Sequence, residues 1–127
     1  MRDQGKIEKA IDIYKEAISL KPRFAEAHNN LGIALKDKGD LAAAILSYRK
    51  ALKINPSYAK AYFHLGIAHK DRGEIKTSLE NYKKAIKVRP NYAEAFNNMG
   101  NALLEIGDAK ASIKNFKKAI KFNPSYA

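Results

Sequence analysis

The sequence predicts an all-α array of antiparallel helix pairs, and two observations carry that expectation. All 7 glycines and all 4 prolines fall on a 34-residue grid. Gly5, Gly39, Gly73 and Gly107 form one column, Gly32, Gly66 and Gly100 a second, and Pro22, Pro56, Pro90 and Pro124 a third. Between these breakers apolar residues recur at helical spacing, as in Tyr62, Leu65, Ile67 and Ala68. Gly and Pro are the strongest punctuators of the backbone, so breakers that repeat at one spacing mark a supersecondary unit copied several times. Most enzyme folds are excluded at once.

The units follow from the grid. Residues 1–24 are the last two-thirds of one unit, and 25–58, 59–92 and 93–126 are full units, together one array. In each full unit a first helix starts at Ala25, Ala59 or Ala93 and ends before Gly39, Gly73 or Gly107, residues suited to the left-handed conformation that stops a helix. A second helix begins at Asp40, Glu74 or Asp108, an acid at its positive end, and is closed by Pro56, Pro90 or Pro124. Asn91 and Glu94 fit a capping box for the first helix of the last unit, whereas Ser57 can cap but faces Lys60 instead of an acid.

Small residues locate the contacts between helices. Gly32, Gly66 and Gly100 lie inside helices, where glycine costs about 1 kcal/mol relative to alanine, so close helix approach is expected there. Ala44, Ser78 and Ser112 form one small column of the second helix, and Ala51, Ala85 and Ala119 another. Tyr48, Tyr82 and Phe116 alternate with them and are expected to wedge between helices.

These columns resemble the tetratricopeptide repeat, or TPR. The family's succession of aromatic, Leu-Gly, Ala, aromatic, Ala and Pro is matched by Tyr62, Leu65–Gly66, Ser78, Tyr82, Ala85 and Pro90. The last unit gives Phe96, Met99–Gly100, Ser112, Phe116, Ala119 and Pro124, and the first full unit His28, Leu31–Gly32, Ala44, Tyr48, Ala51 and Pro56. The partial unit contributes Ala10, Tyr14, Ala17 and Pro22. His28 in place of an aromatic and the two serines in place of alanine are mild departures. The resemblance implies a right-handed superhelical solenoid of seven helices, its first helices lining a concave groove. It also implies a non-catalytic scaffold for a protein or peptide partner.

Once the packing columns are set aside, one face of each first helix remains to line that groove. It carries Asn29, Asn30 and Ile33 in the first full unit, Lys60, Phe63, His64 and Ile67 in the second, and Asn97, Asn98 and Asn101 in the third. Glu26 and Glu94 share the face. Asparagine is a mediocre helix former, yet its amide offers a donor and an acceptor together, which suits the backbone of an extended peptide. Ile33, Phe63 and Ile67 are expected to add an apolar strip. Asn81 and Asn115 recur on the second helix away from this face, so repeat inheritance alone also accounts for the asparagine columns. The Asn-lined face is similar to the asparagine ladder of the TPR region in O-linked N-acetylglucosamine transferases, whose transferase domain has no counterpart here. At the positions of the family's carboxylate clamp stand Asn29, Ile33, His64, Glu94 and Asn98. Isoleucine and glutamate repel a carboxylate, which disfavours the acidic tails of chaperones.

No other chemistry competes strongly. With no cysteine, thiolate metal sites and disulfides are ruled out, and no metal or cofactor is expected. His28 and His69 fall in packing columns, and His64 lies on a different helix face from His69. The serines have no neighbouring base, and there is no Walker-type loop. No apolar run approaches a membrane span, and the first residues lack the apolar core of a signal peptide, so a cytoplasmic protein is expected. The formal charge of +11 falls largely on second helices, at Arg49, Lys50 and Lys53, Lys83, Lys84 and Lys87, and Lys117, Lys118 and Lys121. Such an outward stripe suits solvent or an acidic partner. Nucleic acid is disfavoured because exposed aromatics are not interleaved with it; Phe24, Tyr58, Tyr92 and Tyr126 recur at unit junctions, where packing explains them. Repeat arrays need capping elements, and none is evident. Ile7, Ile11 and Tyr14 at one end, and Ile113, Phe116, Ile120, Phe122 and Tyr126 at the other, are therefore expected to be partly uncovered. End-to-end self-association, or a piece of a longer array, follows as the alternative.

Overall fold

The computed structural model describes residues 4–126, with the side chain of Tyr126 outside the described residues. It contains seven α-helices: α1 (Gln4–Leu20), α2 (Ala25–Lys38), α3 (Leu41–Ile54), α4 (Ala59–Asp71), α5 (Ile75–Val88), α6 (Ala93–Glu105) and α7 (Ala109–Phe122). A 3-10 turn over Pro124–Tyr126 follows. There is no strand among the described residues. Each helix packs on the next in sequence, and α2 touches α4 as α4 touches α6. The first helices of successive units therefore stand side by side and form one continuous face of a solenoid.

The joints within each pair form as the glycines predict. Gly39, Gly73 and Gly107 have φ of 99°, 81° and 84°. A Cβ there would meet nothing within 4 Å, so the left-handed dihedral alone selects glycine. Asp40 and Asp108 then cap the following helix by accepting from the Ala43 and Ala111 N–H groups, each at 3.1 Å. Glu74 does not cap; its carboxylate accepts from buried His69 Nδ1 at 3.0 Å and meets Arg72 at 3.3 Å. That bond with His69 holds its carboxyl below the usual range.

The capping box expected at Asn91 and Glu94 is not formed. The N-cap positions of α2, α4 and α6 are Phe24, Tyr58 and Tyr92, with no side-chain cap bond. Tyr92 is drawn into the interior, which starts the helix one residue later than the box requires. Ser57 does not cap either: its N–H is donated to Asn55 Oδ1 at 3.2 Å, and Ser125 repeats this with Asn123 at 3.2 Å.

Close approach at the intrahelical glycines is confirmed. A Cβ on Gly32, Gly66 or Gly100 would collide with the ring of Tyr48, Tyr82 or Phe116 respectively. Tyr48 and Tyr82 are fully buried under these contacts, and burial pushes both phenols above their ordinary pKa, with Asp71 adding to each. Ser78 Oγ donates to Gly66 O at 2.6 Å, and Ser112 Oγ to Gly100 O at 2.8 Å. The serine column is thus a set of helix–helix hydrogen bonds as well as a set of small residues.

The two ends differ from each other. Ile7 and Ile11, expected to be uncovered, are only 6% and 3% exposed. They form a cluster with Leu31 and Ala34, against which half-buried Tyr14 also packs, because α2 covers this stripe of α1. On α7, Ile113 is 55% exposed, Ile120 and Phe122 are also exposed, and Phe116 is half-buried. The remaining residue of that set, Tyr126, has its side chain outside the described residues.

Candidate functional site

One continuous face of the solenoid is built by α2, α4 and α6, and ion pairs link these helices at one end. Lys36 of α2 pairs with Asp71 of α4 at 3.5 Å, and Lys70 of α4 with Glu105 of α6 at 3.4 Å. One ion pair thus links each first helix to the next. At the opposite ends stand Glu26, Lys60 and Glu94, one column of the repeat, and none has an ion pair among the described residues.

A recess of about 290 Å³ opens at these unpaired ends. It gathers Asn29, Asn30 and Ile33 from α2, and Lys60, Phe63 and His64 from α4. Glu26 and Glu94 join them, together with Tyr58 and Tyr92 from the unit junctions. The two tyrosines were assigned to packing by their junction position, and they do pack; each also presents a surface to the recess. Ile67, Asn97, Asn98 and Asn101 do not line it. Asn97 and Asn98 are half-buried, and Asn101 is exposed.

The buried members set the chemistry. Asn29 is 2% exposed, and its Oδ1 has no hydrogen-bond partner among the described residues. Burial, assisted by Glu26, raises the Tyr58 pKa against the opposing influence of the nearby Asn29 side chain. Phe63 is not part of an exposed apolar strip. At 6% exposure it belongs to the core, its ring 5.1 Å from Tyr92 and 6.0 Å from Tyr82. The gap between its helix and the next unit is aromatic, and an aromatic ring fills it. Ile33 and Ile67 are half-buried on the same face.

His64 lies between the two environments, stacked on Tyr48 at 5.6 Å and edge-on to Phe63 at 5.4 Å. Burial, assisted by Lys36 and Lys60, lowers its pKa to about 4, so the ring is neutral at pH 7. His28 and His69 are buried as expected, His28 Nε2 donating to Pro22 O at 3.0 Å. The basic second-helix residues are exposed, and Lys84 and Lys118 lie over the rings of Tyr62 and Phe96.

Comparison with known families is decisive for the fold. Profiles for the TPR repeat match residues 1–39, 34–71 and 68–107, and one for the tetratricopeptide repeat matches 93–126. The chain belongs to the tetratricopeptide repeat family. As a TPR array it is a protein-interaction scaffold, and no helix among the described residues is long and apolar enough to cross a membrane. No curated protein matches the sequence significantly. Among solved structures, a crystal structure of MamA is 31% identical with a TM-score of 0.86, covering 94% of this chain and 70% of that one. A second crystal structure of MamA is 31% identical at a TM-score of 0.83, covering 94% and 65%. A MamA segment from Desulfovibrio magneticus RS-1 is 21% identical with a TM-score of 0.83 over 95% and 68%, a likeness of fold alone. The TPR array thus spans about two thirds of the length of these MamA chains.

Proposed function

We propose that the concave face binds an extended segment of a partner protein, laid across α2, α4 and α6. The observation that carries this reading is Asn29, a residue lining the 290 Å³ recess whose buried Oδ1 has no partner among the described residues. A buried acceptor without a donor costs about 1–3 kcal/mol, and the backbone N–H of an extended segment is a donor of the kind it lacks. Asn30, His64 and Asn98 continue the polar column along the face, and neutral His64 adds one more donor and acceptor.

The test is selection of extended decapeptides on the folded chain, followed by measurement with N30A/H64A/N98A. Affinity is expected to fall at least about tenfold with helical circular dichroism unchanged, the equivalent of one or two lost hydrogen bonds. Unchanged affinity moves the binding site off this face.

A second reading rests on α7, whose Ile113, Ile120 and Phe122 are exposed. Ile113 and Ile120, seven residues apart, share one side of the helix; exposed apolar surface of this kind marks an association site, and a second copy of the chain could cover it end to end. Light scattering over a wide concentration range tests this. A strict monomer at the highest concentration removes it.

A further inference from the structure

The recess carries information about which side chain of the bound segment it takes. We propose that it receives an arginine side chain, held by Glu26 and Glu94 and by the Asn29 carbonyl. This rests on the reading of the concave face as the binding surface.

Three features of the recess point the same way. The chain has 24 Lys and Arg against 13 Asp and Glu, yet two carboxylates face this recess from the first and third full units, with one lysine between them in the column. Glu26 and Glu94 are nonetheless without an ion pair among the described residues, and both line one recess. The helix dipole favours an acid in a first turn, but the same position of α4 is Lys60, so the dipole does not dictate the column. The second feature is the Asn29 Oδ1, 2% exposed and an acceptor only. A guanidinium supplies donors in a planar fork and no acceptor. The third is the wall: half-buried Tyr58 lines the recess, and a guanidinium stacks on such a ring more favourably than an ammonium, as Arg89 does on Tyr92 at 4.6 Å one unit on.

Size and competing charge fit as well. At about 290 Å³ the recess lies at the lower limit of small-molecule sites, which run from roughly 300 to 1,000 Å³, so it suits one side chain of a longer ligand. An anionic guest would face two carboxylates and an unpaired carbonyl with Lys60 alone in support. His64 adds no positive charge at neutral pH.

The experiment is a nitrogen-15 NMR titration of the whole chain with N-acetyl-arginine-methylamide and with its neutral isostere N-acetyl-citrulline-methylamide. Arginine is expected to shift the Asn29 side-chain amide and the backbone signals of Glu26, Tyr58 and Glu94, with citrulline at least about fivefold weaker, the worth of one charge-assisted contact. E26Q and E94Q are each expected to weaken arginine binding by a similar factor and K60Q to tighten it, all three keeping the dispersed spectrum of the folded chain. Added salt is expected to weaken it further. Equal shifts with arginine and citrulline, shifts confined to another surface, or no shift with either overturn the inference. If selected peptides still bind the N30, H64 and N98 face without preferring arginine, the groove reading stands and this inference falls. Loss of the groove reading shows separately, as N30A/H64A/N98A binding peptides as well as the parent.

Discussion

Two equivalent junctions of the solenoid solve the same packing problem with different chemistry. Where the second full unit meets the third, Phe63 packs against Tyr92 at 5.1 Å and both rings are buried. One unit earlier, at identical grid positions, Asn29 meets Tyr58. At the aromatic junction Phe63 brings no polar group of its own and leaves no acceptor unmatched, unlike Asn29. The polar junction is not saturated, because the buried Asn29 carbonyl is left unmatched. On the proposed reading, a repeat scaffold gains a binding feature by leaving one of its equivalent joints incompletely bonded while the intact neighbour bears the stability.

The strongest way to break the comparison is F63A. Loss of a buried aromatic costs about 3–5 kcal/mol, and urea melts are expected to show it as a large drop in midpoint. A loss below about 1 kcal/mol would mean the aromatic junction is not the stabilising one. His64 touches Phe63 and so reports on the same region through pH. It titrates near 6.5 when unfolded and at about 4 when folded, so the unfolded chain takes up the proton first as pH falls. Its contribution is complete above about pH 6.5 and is lost between pH 6.5 and 4, on the order of 2–3 kcal/mol from a shift of this size. In H64F that part of the pH dependence is expected to vanish, leaving the carboxylate part.

Converting the polar junction to the aromatic one with N29F sharpens the contrast. Removal of an unmatched buried carbonyl is expected to raise stability by about 1 kcal/mol while closing the recess to peptide. Lower stability would show that the first junction is too narrow for two rings. S78A removes the bond to the Gly66 carbonyl and is expected to cost about 1 kcal/mol, with peptide affinity unchanged. Smallest of all, D71N opens the exposed pair with Lys36; thermal melts are expected to shift by under about 1 kcal/mol, and less at high salt.

The solenoid was legible because its causes are local. A glycine that must take φ near +90° and a proline that cannot continue a helix write their positions into the chain regardless of what packs around them. The face of each first helix was legible for the same reason, from helical spacing alone. What spacing does not contain is the identity of the residue across the gap. Phe63 reads as a groove residue until Tyr92 is seen opposite, and Ile7 and Ile11 read as uncovered until α2 is laid over them. Tyr58 and Tyr92 were visible only as junction residues, although each lies 29 positions beyond its partner Asn29 or Phe63, a recurrence the sequence does print. Ser78 and Ser112 look merely small because their acceptors are backbone carbonyls on another helix, which no side-chain pattern records.

The three joints at Gly39, Gly73 and Gly107 have open space where a side chain would begin. No side chain packs there, so the elbow of each unit is fixed by backbone angle and by backbone bonds such as Gly39 N–H to Lys36 O and Asp40 N–H to Leu35 O, each 2.9 Å. Such elbows are natural splice points: residues added there extend outward into water and leave the helices on either side in register. Reporter sequences or a second module could be grafted at each elbow independently, turning the array into a frame with three outward-facing sockets along an edge remote from the interior rings.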